Sequence, residues 1–160
     1  MPSLVNMATP VGALLKERGQ TVAVSESAAG GLVCAALLSV PGASAYFLGG
    51  ASVYTQTARR RLLRFNDAKA QMRGSTEEYA ALAATTVQEI MVSDWGIGES
   101  GAAGPTGNRY GDPAGHVALA VAGPVSETRV VQTGNDDRED NMWAFAQAAL
   151  DLLYDTIRAN

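Results

Sequence analysis

Cysteine, histidine and long apolar runs are the scarce features of this sequence. Its single cysteine, Cys34, permits neither an internal disulfide nor a cysteine-built metal cage, so nothing calls for an oxidising compartment. Met1 to Pro10 lack both a basic start and a continuous apolar block, and no later stretch approaches the roughly 20 apolar residues that span a bilayer. A cytoplasmic location and no membrane partner are expected. Charge is sparse as well, at 18% of residues against roughly 25% in ordinary soluble chains. Positive charge is in deficit: twelve basic against sixteen acidic residues leave a net charge of −4. Such a chain has no general attraction for a nucleic-acid backbone or an anionic surface. What it has instead is apolar content, 47% over 160 residues, which is enough for one hydrophobic core, and a single domain over 1–160 is expected.

Hydrophobic periodicity divides the chain into alternating helices and short strands. Val11, Leu14 and Leu15 before Gly19 predict a first helix over about residues 8 to 18, and Thr21 to Val24 a strand. The segment Ser25-Glu26-Ser27-Ala28-Ala29-Gly30-Gly31 then opens into a buried helix from Leu32 to Val40. Ala45 to Tyr54 reads as a second strand with a bulge or close backbone approach at Gly49-Gly50. Arg59, Arg60, Arg61 and Arg64 fall on a short helix that turns Leu62 and Leu63 inward. Ser75 with Glu78 fits a capping box for a helix over 76 to 92. A strand from Trp95 to Glu99 leads into a loop from Ser100 to Gly107. A hairpin of Gly115 to Ala122 and Thr128 to Gln132 follows, and a last helix starts near Asp137. This order predicts a three-layer α/β/α sandwich around a mixed, mainly parallel sheet. Ligands in such folds bind beyond the carboxyl ends of strands, where both glycine-rich segments would lie.

Glu26-Ser27-Ala28-Ala29-Gly30-Gly31 sets a hydroxyl and a carboxylate at the mouth of a helix, with glycines that let backbone N–H groups approach an anion. That suits a nucleophile or a phosphate clamp; the plainer alternative is a serine N-cap with glycines for close packing. Neither G-x-x-x-x-G-K-[ST] nor G-x-S-x-G is present. Ser100 to Gly107, with Asn108, Arg109, Tyr110 and Asp112, is either a surface loop or a wrapper for a nucleotide-sized ligand. His116 and Cys34 sit in apolar segments and read as structural.

In this order the segments resemble the CinA C-terminal domain family over about residues 8 to 155. The family motif Glu-Ser-Cys-Thr-Gly-Gly is matched by Glu26 to Gly31, and Leu37 to Gly50 with Tyr54 follow closely. Thr-Gly-Ile-Ala-Gly-Pro with a later Pro-Val-Gly is similar to Ser100-Gly101-Ala102-Ala103-Gly104-Pro105 with Pro113-Ala114-Gly115. The resemblance implies a nicotinamide-mononucleotide deamidase that needs neither metal nor other cofactor, in a standalone form without the larger N-terminal domain. It implies Ser27 as nucleophile and Tyr54 as active-site tyrosine. Donors for the oxyanion and the phosphate would come from the helix N-terminus at Gly30 and Gly31 and from the loop Gly101 to Gly107, with Ser100, Gly101, Gly104, Pro105 and Gly107 expected at the substrate. Arg138 matches an arginine suited to the phosphate.

The departures carry information too. The motif's cysteine and threonine are Ala28 and Ala29, its later threonine is Ser100, and a second arginine falls at Met142. A lysine expected five residues after the tyrosine is Arg59, and the only lysines are Lys16 and Lys69. Arginine stays protonated, so it cannot serve as a base toward serine. Glu26 or a water held by Tyr54 is then the expected base, with Arg59 binding charge. The competing expectations are a nucleotide-binding module without turnover and a self-associating scaffold using Ala45 to Val53; a homo-oligomer, dimer or larger, is expected.

Overall fold

The structure, a computed structural model, describes residues 2–160. Among these the elements run α1 (Leu4–Arg18), β1 (Val22–Glu26), α2 (Leu32–Ser39), β2 (Phe47–Ser52), α3 (Gln56–Leu62), α4 (Asp67–Ala70), α5 (Glu77–Met91), β3 (Trp95–Ala102), β4 (His116–Ala122), β5 (Glu127–Gln132) and α6 (Arg138–Arg158). The strands form one sheet in the order β2-β1-β3-β4-β5. The β1–β2 and β1–β3 pairs are parallel, and β3–β4 and β4–β5 are antiparallel. Pairings are thus evenly divided, yet four of the five strands point the same way and only β4 runs against them. The expected mixed, three-layer arrangement is what the chain adopts.

Side-chain alternation along the strands sends residues to two different cores. Val22, Val24, Ile97, Val117, Leu119 and Val121 meet α1, α2 and α6 in the larger one, around Leu15, Leu37, Phe145 and Leu153. On the opposite face Ala23 joins Val53, Leu63, Phe65, Tyr79 and Val87 beneath α3, α4 and α5. Alternate residues of β3 and β4 facing α5 are all small: Gly96 and Gly98, then Ala118, Ala120 and Ala122 against Ala80 and Ala84. A Cβ on Gly98 would collide with the carbonyl oxygen of Ala80, and one on Gly96 with that of Ala84. Helix backbone therefore rests directly on strand backbone, which fixes the height of α5 above the sheet.

The sequence-based boundaries shift in places where tertiary contacts decide. β3 continues to Ala102, so Ser100 and Gly101 are paired with Ala118 and Val117 rather than looped. Thr76, not Ser75, caps α5 by accepting the Tyr79 N–H at 3.1 Å. Ser75 instead has φ 57° and donates its amide to Ser100 Oγ at 2.9 Å. Leu63 is buried, but Leu62 is 49% exposed and not turned inward. The short helix α4 in the Asn66–Ala70 stretch carries too little periodicity to be foreseen. At Gly49-Gly50 the expectation holds: the β1–β2 register shifts between Val22 and Ala23, and a Cβ on Gly50 would meet Val24 backbone and Cys34 Sγ.

Gly98→Ala is expected to destabilise the protein by about 1–3 kcal/mol or more, because neither backbone can retreat without disturbing a whole element. Denaturant unfolding of the variant beside the parent checks this; an unchanged midpoint would contradict the packing described.

Candidate active site

The parallel strands β1, β2 and β3 end at one edge of the sheet, where residues 27–31, 53–55 and 103–115 converge. The first of these connections is held by two buried carboxylates. Glu26 is 0% exposed, and its oxygens accept the N–H groups of Gly31 (2.8 Å), Val33 (3.1 Å) and Cys34 (2.9 Å). It caps α2 from the preceding strand, while Gly31, at φ 101°, occupies the N-cap position and contributes no side chain. Such an arrangement satisfies orphan helix donors and favours negative charge at the positive end of the helix.

Glu99, 1% exposed, reaches across from β3. Its Oε2 accepts the N–H groups of Ser27 (2.8 Å) and Ala29 (3.0 Å), whereas Oε1 is buried without a hydrogen-bond partner. Burial pushes its carboxyl up to about 7, against the pull of those backbone donors, and the nearby Glu26 carboxylate pushes the same way. Cys34 is pushed up by burial and by Glu26, consistent with a structural thiol.

Two sequence expectations change as a result. Glu26 is not placed to act as a base, because both its oxygens are engaged at the start of α2. Nor does that helix end offer donors to a ligand. The amides of Gly31, Val33 and Cys34 go to Glu26, those of Ser27 and Ala29 to Glu99, and those of Gly30 and Leu32 to the Ser27 and Ala29 carbonyls. Ser27 itself is half-buried and does not cap α2, so its hydroxyl has no such structural duty.

A cavity of about 230 Å³ lies beside this loop, lined by Ala28, Tyr54, Gly101 to Gly104, Thr106, Gly107, Asn108 and Arg138. Arg138, at the start of α6, donates to the Gly104 carbonyl and, at 3.1 Å, to the Tyr54 hydroxyl. Asn141 one turn on is buried and donates to the Ala103 (2.7 Å) and Asn135 (2.8 Å) carbonyls, pinning the loop to α6. Among the described residues the amides of Ala103, Gly104, Thr106 and Gly107 make no hydrogen bond within the protein. These are the donors a ligand in the cavity would meet. A larger open hollow of about 790 Å³ near α1 and α6 is lined by Pro2, Met7, Glu139, Asp140 and Trp143, and its carboxylates oppose a phosphorylated ligand.

Of the other predicted site residues, Gly30 and Gly31 serve the turn, with φ of 67° and 101°. Pro105 is exposed in the loop. Ser100 is 4% exposed and faces the α5 side, so it ties β3 to the residues before α5 rather than facing the cavity. Arg59 is likewise committed: Nη1 donates to the Ala70 (3.0 Å) and Met72 (2.7 Å) carbonyls, and its guanidinium stacks on Tyr79 at 4.0 Å. Its bonds are structural rather than to a charge, although Nε is buried without a partner. His116 bonds to the Ser75 carbonyl oxygen at 2.9 Å and lies in the sheet as expected. Glu99 and Asn141 are the residues that sequence reasoning missed. A signal for Glu99 existed, since Trp95, Ile97 and Glu99 alternate on one covered face of a strand and only the last is charged.

Fold and site thus define a mixed α/β domain with a small polar cavity at the ends of its parallel strands. The CinA C-terminal domain family matches residues 4–157, and the chain belongs to that family. A CinA-like protein of Synechocystis sp. is 38% identical over 138 residues, covering 86% of this chain and 33% of that one. Another, of Picosynechococcus sp., is 39% identical over 147 residues, covering 89% and 35%. The chain therefore spans about a third of the length of these curated relatives. A CinA superfamily protein of Klebsiella pneumoniae has the same fold, with TM-score 0.91 at 24% identity over 99% of this chain and 100% of that one. The competence/damage inducible protein CihA of Agrobacterium tumefaciens gives 0.88 at 24% identity over 99% and 98%. Among the described residues no helix is long and apolar enough to cross a membrane.

Glu99 makes stability depend on pH. Its folded value of about 7 stands above the unperturbed 4.5, so the stability it contributes below pH 4.5 is lost as pH rises through 7. Glu99→Gln, which cannot ionise, should gain on the parent between pH 4.5 and pH 8 by on the order of 3 kcal/mol. Paired denaturant titrations at the two pH values measure the difference; a constant gap would contradict a raised carboxyl. Arg59→Lys should cost about 1–2 kcal/mol, read as a lower Tm, since lysine loses the forked contact and the flat stack on Tyr79.

Proposed function

We propose that the domain hydrolyses the amide of nicotinamide mononucleotide, yielding nicotinic acid mononucleotide and ammonia. The observation that carries this reading is the cavity where Tyr54, Arg138 and the unpartnered amides of Ala103, Gly104, Thr106 and Gly107 meet, with Ala28, the residue after Ser27, in its wall. Family membership supports it, and so does the absence of a capping role for Ser27. In this reading Ser27 Oγ attacks the amide carbon, and the loop amides take the charge that develops on the carbonyl oxygen or rests on the phosphate. Arg138 orients Tyr54 and adds positive charge to the same wall.

A second reading, a pocket that binds the nucleotide without turning it over, is favoured by Arg59. A guanidinium fixed on two carbonyls and Tyr79 cannot take the part of a lysine base. The third reading, a self-associating scaffold, has β2 at the sheet edge with Leu48 42% exposed, and sedimentation addresses it.

Ammonia release from nicotinamide mononucleotide, measured beside Ser27→Ala and Arg59→Lys, separates the readings. Turnover in the parent that falls by at least about 1000-fold in Ser27→Ala is the expected result. A silent parent that becomes active as Arg59→Lys would establish the binding-only reading for the natural chain, and Ser27→Ala with parental turnover would remove Ser27 as nucleophile.

A further inference from the structure

The missing lysine leaves the reaction without an evident base, and the structure contains a carboxylate at the right place. Glu99 accepts the backbone N–H of Ser27 through Oε2 at 2.8 Å, and its Oε1 is buried with no partner. A buried acceptor left open is a costly feature that packing alone does not require. A carboxylate that holds a residue's amide also lies within reach of that residue's hydroxyl. The same structure shows this at Thr21, where Asp94 Oδ2 accepts both the N–H (2.8 Å) and the Oγ1–H (3.1 Å). A Ser27 rotamer that sets Oγ beside Glu99 in the same two-pronged manner is what a proton transfer between them requires.

We infer that Glu99 is the base that takes the Ser27 hydroxyl proton, a role that rests on the proposed amide hydrolysis. The proton passes to Glu99 as Oγ bonds to the amide carbon, and it returns to the nitrogen as the C–N bond breaks and ammonia leaves. Water then attacks the ester, giving its proton to Glu99, and that proton returns to Ser27 Oγ as the carboxylic acid departs. Each half restores the carboxylate, so one water is consumed per ammonia released. A carboxyl raised to about 7 is suited to such exchange near neutral pH. The ionisable groups about it are Glu26 on β1, and on the α5 side Tyr79 with Arg59 stacked on it. Glu26 disfavours the ionised form of Glu99. Ala28 and Ala29 stand where the motif has a polar pair, and Glu99 is the charged side chain that holds the Ser27 and Ala29 amides.

The test uses two readouts on the full chain. The first is labelling of Ser27 by a fluorophosphonate, followed by peptide mass spectrometry from pH 5 to pH 9, which needs no natural substrate. The expected result is labelling in the parent that rises through pH 7, and a rate at least about 100-fold lower in Glu99→Gln without that rise. Glu99→Gln keeps an acceptor oxygen for the Ser27 and Ala29 amides, and its circular dichroism and Tm verify the fold. If it does not fold, the parent's own pH profile decides, because a flat profile overturns the role. An unlabelled parent, or labelling of Glu99→Gln at the parental rate, overturns it too. The second readout is ammonia release from nicotinamide mononucleotide. Labelling that depends on Glu99 without ammonia release keeps the base and removes the substrate. Ammonia release that persists in Glu99→Gln keeps the substrate and removes the base.

Discussion

A carboxylate that accepts several backbone N–H groups at once is the device on which the working edge of this sheet rests. Glu26 and Glu99 between them bind five amides of the segment from Ser27 to Cys34. Burying either charge alone would be expensive, and leaving those amides unpaired in a tight turn would be as well. Each need is met by the other, so the loop and the two carboxylates form one unit. The consequence for chemistry is selective: this loop presents a side chain, Ser27, while the backbone donors of Ser27 and of Ala29 to Cys34 are already spent.

The two faces of the sheet divide the remaining work. Under α5 the contacts are glycine and alanine against helix backbone, a surface with little freedom to repack. Opposite, larger aliphatic and aromatic side chains join α1, α2 and α6, and α6 extends its first turn over the cavity. Arg138 and Asn141 thus belong both to a core helix and to the loop they hold. Precision at the cavity wall derives from an element whose position is set by Phe145, Leu150 and Leu153 well below it.

Layer order and nearly every element could be read from periodicity, because the chain alternates helix and strand with clear glycine and proline breaks. The cavity wall at Tyr54, the residues 101–107 and Arg138 was legible only through motif order, since separations of 31 to 84 residues leave no local pattern. Capping departs from the local pattern in two places for one reason. Ser75 and Ser27 stand where a cap is expected, but Thr76 lies one residue nearer to α5, and Glu26 reaches α2 from within a strand. Local rules weigh sequence neighbours, whereas these donors are satisfied by whichever acceptor the tertiary structure brings close. The fixed posture of Arg59 was illegible for the same reason, as its partners Ala70 and Met72 sit in a stretch with almost no periodicity.

The reversal of β4 has an outcome for how such a domain can diversify. Because β4 runs opposite to β3, the connection between them must cross the same edge at which the parallel strands end. It crosses as a hairpin link whose two feet are locked by the ladder from Gly96↔Ala122 to Ala102↔His116. Residues 103–115 can therefore change in length and composition without sliding any strand. Such freedom is confined to the middle of the link, because Ala103 and Gly104 at its start are tied to α6 through Asn141 and Arg138, so that part of the cavity wall moves only with the scaffold.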